Sequence, residues 1–242
     1  TLCVKPSMGG ALAEIDDLRS RVNLTDTLTR RKEAYHEKVA RAVLWEEKPE
    51  TANGEAPAEE EEKAAESIHD IVRAKEPDLE KRLIYDWHRR SACLAHFMSG
   101  WTKIEDFASG RYNEDGDFVN QPFAIREARV REDGVAEVVL RRKGGLYQGG
   151  GVRWMTMTRR ILAASDEATF RVVHELENTS SLGAQALFGL EWIVNFLAPA
   201  AEDRYVFING RTLEEPSVGA IAEDKWVDTF GFRIKCFCCD ID

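Results

Sequence analysis

The chain has 242 residues and a formal net charge of −10, from 43 acidic against 33 basic side chains. That balance repels phosphate backbones and anionic headgroups, so no nucleic acid and no membrane is expected as a partner, whereas neutral sugars meet no such barrier. Hydrophobic residues make up 43% of the chain, enough for a sizeable core, and the five cysteines are too few, and odd in number, for a dense disulfide framework. Free thiols then point to a reducing, cytoplasmic compartment. No apolar run suggests a membrane span, and no charged start followed by an apolar run suggests a signal peptide.

In chain order, TLCVKP and GGALAEID read as two short strands with Gly9 and Gly10 at the turn. RVNLTDTL continues the sheet. In TRRKEAYHEKVARAVLW, Tyr35, Val39, Ala42 and Val43 recur at helical spacing, with Thr29 placed as N-cap. EEKPETANGEAPAEEEEKAAE is acidic, alanine-rich and broken by Pro49, Gly54 and Pro57, which predicts a solvated linker. A second helix follows, with Ala64, Ile68, Ile71 and Val72 on one face, ending before Pro77. Residues 30 to 80 therefore read as a helical, acidic insertion in one domain spanning 1 to 242.

From about residue 83 the pattern is β to the end. Alternating and strand-rich segments are separated by turn signals at Glu132-Asp133-Gly134, Gly144-Gly145, Asn178-Thr179-Ser180-Ser181 and Asn209-Gly210. Long strands without intervening helices predict a mainly β fold, a large antiparallel sandwich.

Few segments carry chemistry. KGGLYQGGGV lacks the Lys-Ser/Thr that completes a phosphate loop and reads as a hairpin connection. Cys236 and Cys239 have a metal-pair spacing but no second pair, so no metal and no cofactor is expected. Cys93 and His96 point to opposite faces of a strand, which argues for packing over catalysis. His174 is a lone strand histidine. Glu191 interrupts the apolar FGLEWIVNF; it reads either as a base or sugar ligand, or as half of a salt bridge to Arg153 or Arg171.

The densest polar stretch is LIYDWHRRSACLAHF, which gathers Tyr85, Asp86, Trp87, His88, Arg90 and His96. Rings can lie on sugar faces, and Asp, His and Arg can bond hydroxyls. These six residues and Glu191 are the carbohydrate-contact candidates. The alternative is a polar network tying a loop to a strand that begins near Arg90, with Asp86 accepting from Arg90 and His96 bonded to backbone.

VNLTDTLTRRKEAYHEKV, KEPDLEKRLIYDWHRRSACLAHF and RYNEDGDFVNQPF, in this order and spacing, resemble the C-terminal β-sandwich region of glycoside hydrolase family 57, which includes α-amylases and 4-α-glucanotransferases. VVHELENTS followed by GLEWIVNF is similar to its later strands. The resemblance implies a galactose-mutarotase-like supersandwich that follows an N-terminal catalytic barrel. No strand–helix alternation here resembles that barrel, so no catalytic residue is expected in this chain. One departure is Ala95, where the family carries Asp. The resemblance implies a non-catalytic domain that supports the missing barrel and contacts α-glucan. Two other readings stay open: a mutarotase-like sugar epimerase using His96 or His174 with Glu191, and a protein-interaction module using the acidic insertion.

Overall fold

The computed structural model describes residues 1–25, 27–40, 43–44, 73–74, 79–165, 167–196, 201–214, 217–218, 222–234 and 239–241. The acidic linker, the second predicted helix apart from Arg73–Ala74, which form a strand instead, and the cysteines at 236 and 238 lie outside these. Contacts divide the chain into two units, Thr1–Thr29 with His88–Asp242, and Arg30–Trp87.

The first unit opens with β1 (Leu2–Lys5), β2 (Ala11–Asp17) and β3 (Val22–Asn23), an antiparallel sheet. Its first turn needs glycine: Gly9 and Gly10 have φ of 75° and 61°.

The second unit holds α1 (His36–Ala40) and the two-residue strands β4 (Val43–Leu44) and β5 (Arg73–Ala74), which pair in parallel. The helix is shorter than its apolar spacing predicts, and Val43 belongs to a strand. Thr29 does not cap it, because its hydroxyl accepts from the Arg90 backbone N–H at 3.1 Å, a bond within the first unit. The ends of the second unit are clamped together. Asp86 accepts from the Arg30 backbone N–H at 2.8 Å and from its Nε at 3.0 Å, while the Asp86 N–H donates to the Arg30 carbonyl at 2.9 Å.

In the first unit again, β6 (Leu94–Met98) is fully buried. It starts later than the sequence predicts, because Cys93 sits at φ 64° and kinks the chain out of the extended region. The short helix α2 (Ile104–Ala108) follows. Next come β7 (Ala124–Val130), β8 (Ala136–Gln148), β9 (Gly151–Ala163) and β10 (Phe170–Asn178), an antiparallel sheet in the order β10-β9-β8-β7. The edge strand β7 is exposed and carries an irregularity between Ile125 and Glu127. A separate pair joins β6 to β11 (Leu187–Glu191). The last sheet contains β12 (Arg204–Ile208), β13 (Arg211–Thr212), β14 (Phe230–Ile234) and β15 (Cys239–Ile241). The described residues are thus mainly β, in antiparallel sheets apart from the β4–β5 pair, with two short α-helices and no barrel.

Period-two burial builds the core. Ala95 and Phe97 of β6 pack on Leu140, Leu146, Met155 and Met157 of β8 and β9. Each large apolar side chain removed from water contributes roughly 1.5–3 kcal/mol. A second cluster joins Leu12 of β2 to Ala92, Cys93 and Ile161. Ala95, the departure noted above, faces this apolar interior.

The predicted turn at Gly144-Gly145 lies instead inside β8. The hairpin turns at Gly149 and Gly150, both at positive φ, the conformation of a tight primed loop. Gly144 is glycine for another reason: a Cβ there would stand 2.3 Å from Asp117 Oδ1 and 2.7 Å from the Phe118 ring. Asp117 Oδ1 also accepts from the neighbouring Gly145 N–H at 2.9 Å, so it is not free to retreat. Gly144→Ala should therefore cost about 1–3 kcal/mol of overpacking strain, read as a lower urea midpoint; an unchanged midpoint would refute the close approach.

Candidate functional site

Glu191 ends β11, and its side chain is 5% exposed. Register explains its neighbours. Glu191 pairs with Leu94 and Gly189 with His96, so His96 is the diagonal neighbour on the same face. His88, from the segment before β6, brings Nε2 to 2.8 Å from Glu191 Oε2. Arg90 Nε donates to Glu191 Oε1 at 3.2 Å. His96 Nε2 lies 3.5 Å from Oε2.

The other side of His96 is held as firmly. Its Nδ1 lies 2.8 Å from Glu114 Oε2, and the Tyr112 hydroxyl is 3.2 Å from the same nitrogen. Glu114 Oε1 accepts the Phe97 backbone N–H at 2.7 Å. Phe107 meets the His96 ring edge-on at 5.3 Å between centroids. Burial pulls the His96 pKa down, but the Glu114 bond and the nearby carboxylates of Glu114 and Glu191 outweigh it and raise the value above normal. Burial pushes the Glu191 carboxyl up, but His88, His96 and Arg90 hold it well below the usual carboxylate range.

The predicted site residues divide between the two units. His88, Arg90, His96 and Glu191 come together in the first. Tyr85, Asp86 and Trp87 belong to the second, where Tyr85 and Trp87 are 36% and 52% exposed and Asp86 is buried against Arg30. Three predicted partnerships are corrected. Asp86 pairs with Arg30 and Arg90 pairs with Glu191. Glu191 is not held by Arg153, whose Nε donates to the Gly183 carbonyl, nor by Arg171, which is exposed. His96 bonds to Glu114 and not to backbone.

His174 lies apart. It pairs across the sheet with Arg159, whose Nε donates to His174 Nε2 at 2.8 Å. Arg159 is fully buried and also donates through Nη1 to the carbonyls of Gly9 and Gly10, at 2.9 and 2.6 Å. Burial and the Arg159 charge lower the His174 pKa to about 4. Cys93 Sγ sits 3.9 Å from His174 Nε2, and burial pushes its thiol pKa up, only partly countered by Arg159, which is the wrong direction for a nucleophile.

The residues that sequence reasoning missed are Glu114, Tyr112 and Arg159. Arg159 carries a readable signal, because it alternates with Met155, Met157 and Ile161 on the buried face of β9. Chemically, the Glu191 group can hold charge and fix the segment before β6. Its ligand-type atoms, from His88, His96 and Glu191, all lie within 4.8 Å of one another.

Comparison with known proteins places this architecture. Residues 1–228 match the family model "Alpha-amylase/4-alpha-glucanotransferase, C-terminal". The chain belongs to that family. Alpha-amylase 1 of Dictyoglomus thermophilum is 28% identical over 239 residues, covering 98% of this chain and 31% of that protein. The 4-alpha-glucanotransferase of Thermococcus litoralis is 34% identical over 144 residues, 60% of this chain and 19% of that protein. The crystal structure of the Thermococcus litoralis enzyme superposes with a TM-score of 0.59 at 26% identity, covering 85% of this chain and 27% of that one. The amylase-family chain thus spans less than a third of these relatives. Among its described residues no helix is long and apolar enough to cross a membrane.

Two measurements test the geometry. Glu191→Ala strands Arg90 and the histidines without their carboxylate and should lower unfolding free energy by about 3–5 kcal/mol. A loss under about 1 kcal/mol in urea titration would show the group to be solvated. For His174 the folded pKa lies below the ordinary value of 6.5, so the unfolded chain takes up the proton first. Its contribution to stability is complete above about pH 6.5 and is lost as pH falls toward about 4. His174→Gln should lose less stability than wild type across that window.

Proposed function

We propose that this chain is the non-catalytic C-terminal sandwich of an α-amylase or 4-α-glucanotransferase, supporting the catalytic barrel of its parent and contacting α-glucan. The observation that carries the reading is the match of residues 1–228 to a family defined as C-terminal, in relatives several times longer than this chain. The burial of the candidate acids and bases agrees with a bracing role. His96 has no exposed surface and His174 accepts from buried Arg159, which weighs against a sugar epimerase built on either histidine with Glu191. Glucan contact falls to the exposed rings of Tyr85 and Trp87, which have the flat apolar faces that sugars stack on.

The purified chain should release no reducing ends from starch and transfer no glucosyl units between maltooligosaccharides; sustained turnover would overturn the non-catalytic assignment. Tryptophan fluorescence during maltoheptaose titration should change saturably, and Trp87→Ala should remove that change. A flat titration at millimolar sugar would leave the bracing role alone.

A further inference from the structure

Three stretches of the first unit converge on one point: the segment before β6 with His88, β6 with His96, and the end of β11 with Glu191. Glu191 Oε2 lies 2.8 Å from His88 Nε2 and 3.5 Å from His96 Nε2. The second contact is not a hydrogen bond, and His96 Nε2 is buried with no hydrogen-bond partner. A buried ring nitrogen left that way is unfavourable, because it has given up water and gained nothing in return.

The opposite nitrogen explains what is missing. Nδ1 faces Glu114 at 2.8 Å, so a neutral ring keeps its proton on Nδ1, donates that N–H to the carboxylate and leaves Nε2 as a lone pair. That lone pair faces the carboxylate oxygen of Glu191. Two electron-rich atoms buried together require a proton or a cation between them. A carboxylate on the far nitrogen of an imidazole is also how metal-binding histidines are oriented and made more basic. Arg90 occupies Oε1 of Glu191 and leaves Oε2 to the histidines.

We propose that His88 Nε2, His96 Nε2 and Glu191 Oε2 form a site for a divalent transition-metal ion of the zinc class. With metal–ligand bonds of about 2.0–2.2 Å, tetrahedral ligands stand roughly 3.4 Å apart. The two separations from Glu191 Oε2, 2.8 and 3.5 Å, bracket that figure, and all three ligand atoms lie within 4.8 Å of one another. Two imidazoles select against calcium and magnesium, which prefer oxygen. The carboxylates of Glu191 and Glu114 offset the nearby Arg90 charge. Three protein ligands leave a fourth position for water or another oxygen donor. Binding displaces the proton between His88 Nε2 and Glu191 and gives His96 Nε2 a partner. The cysteine spacing that led to an expectation of no metal has no part in this set.

The test uses the full chain, dialysed against a chelator and then titrated with Zn2+ and, separately, Co2+. One ion per chain, a raised melting temperature with zinc, and a visible cobalt spectrum without thiolate charge-transfer bands are the expected results. His96→Gln should abolish binding, and Glu114→Gln should weaken it by about 10- to 100-fold, with near-UV circular dichroism confirming that each variant is folded. A folded wild-type chain that binds neither ion overturns the proposal. So does binding unchanged in both His88→Gln and His96→Gln, or a thiolate spectrum, which would place the metal on cysteines. Should His96→Gln fail to fold, Glu114→Gln decides: affinity equal to wild type counts against the site.

Discussion

A carboxylate taken out of water must be answered by positive charge or by hydrogen-bond donors, since leaving it bare costs several kcal/mol. Glu191 imposes that demand on the first unit. It draws Arg90 and His88 against the end of β11 and fixes the face of β6 on which His96 lies. The demand then passes outward, because His96 requires a partner of its own and finds Glu114, which is tied to the backbone of Phe97. One buried charge thereby joins the entry to β6, the β6–β11 pair and the segment around residue 114.

Arg159 is the cationic counterpart. It stands on the apolar face of β9 between Met157 and Ile161, and its nearest answers are neutral: two carbonyls of the Gly9-Gly10 turn and the ring of His174. Burial lowers its own pKa. The turn carbonyls can reach it because glycine allows the positive φ that aims them inward. Charge burial and turn chemistry 150 residues apart in sequence are thus one arrangement.

Much of this could be read from residue order. Alternation announced β8, β9 and β10, and the Gly9-Gly10 and Asn209-Gly210 turns fall where their residues say. Glu191 was legible as a buried carboxylate because it breaks an apolar run. Its partners were not, because Arg90 and His88 lie 101 and 103 residues away, and period-two reasoning assigns faces without saying which strands pair. The misplaced turn at Gly144-Gly145 has a similar cause. Two glycines signal either a bend or a close approach, and only the position of Asp117 and Phe118 shows which. Thr29 looked like a helix cap because its oxygen is a good acceptor, but a donor distant in sequence claimed it. Tyr85 and Trp87 stand out in sequence beside His88, yet they fall in the other unit.

The irregularity between Ile125 and Glu127 has a bearing on how this molecule keeps company with its own kind. A straight outer strand offers a ladder of unused amides to any passing polypeptide. Here the ladder is broken near its start, and Arg126, Glu127 and Arg129 crowd the rungs that remain. A second copy arriving edge-on would have to strip water from those charges and could match only a few bonds in return. Stacking into filaments is thereby discouraged along that border.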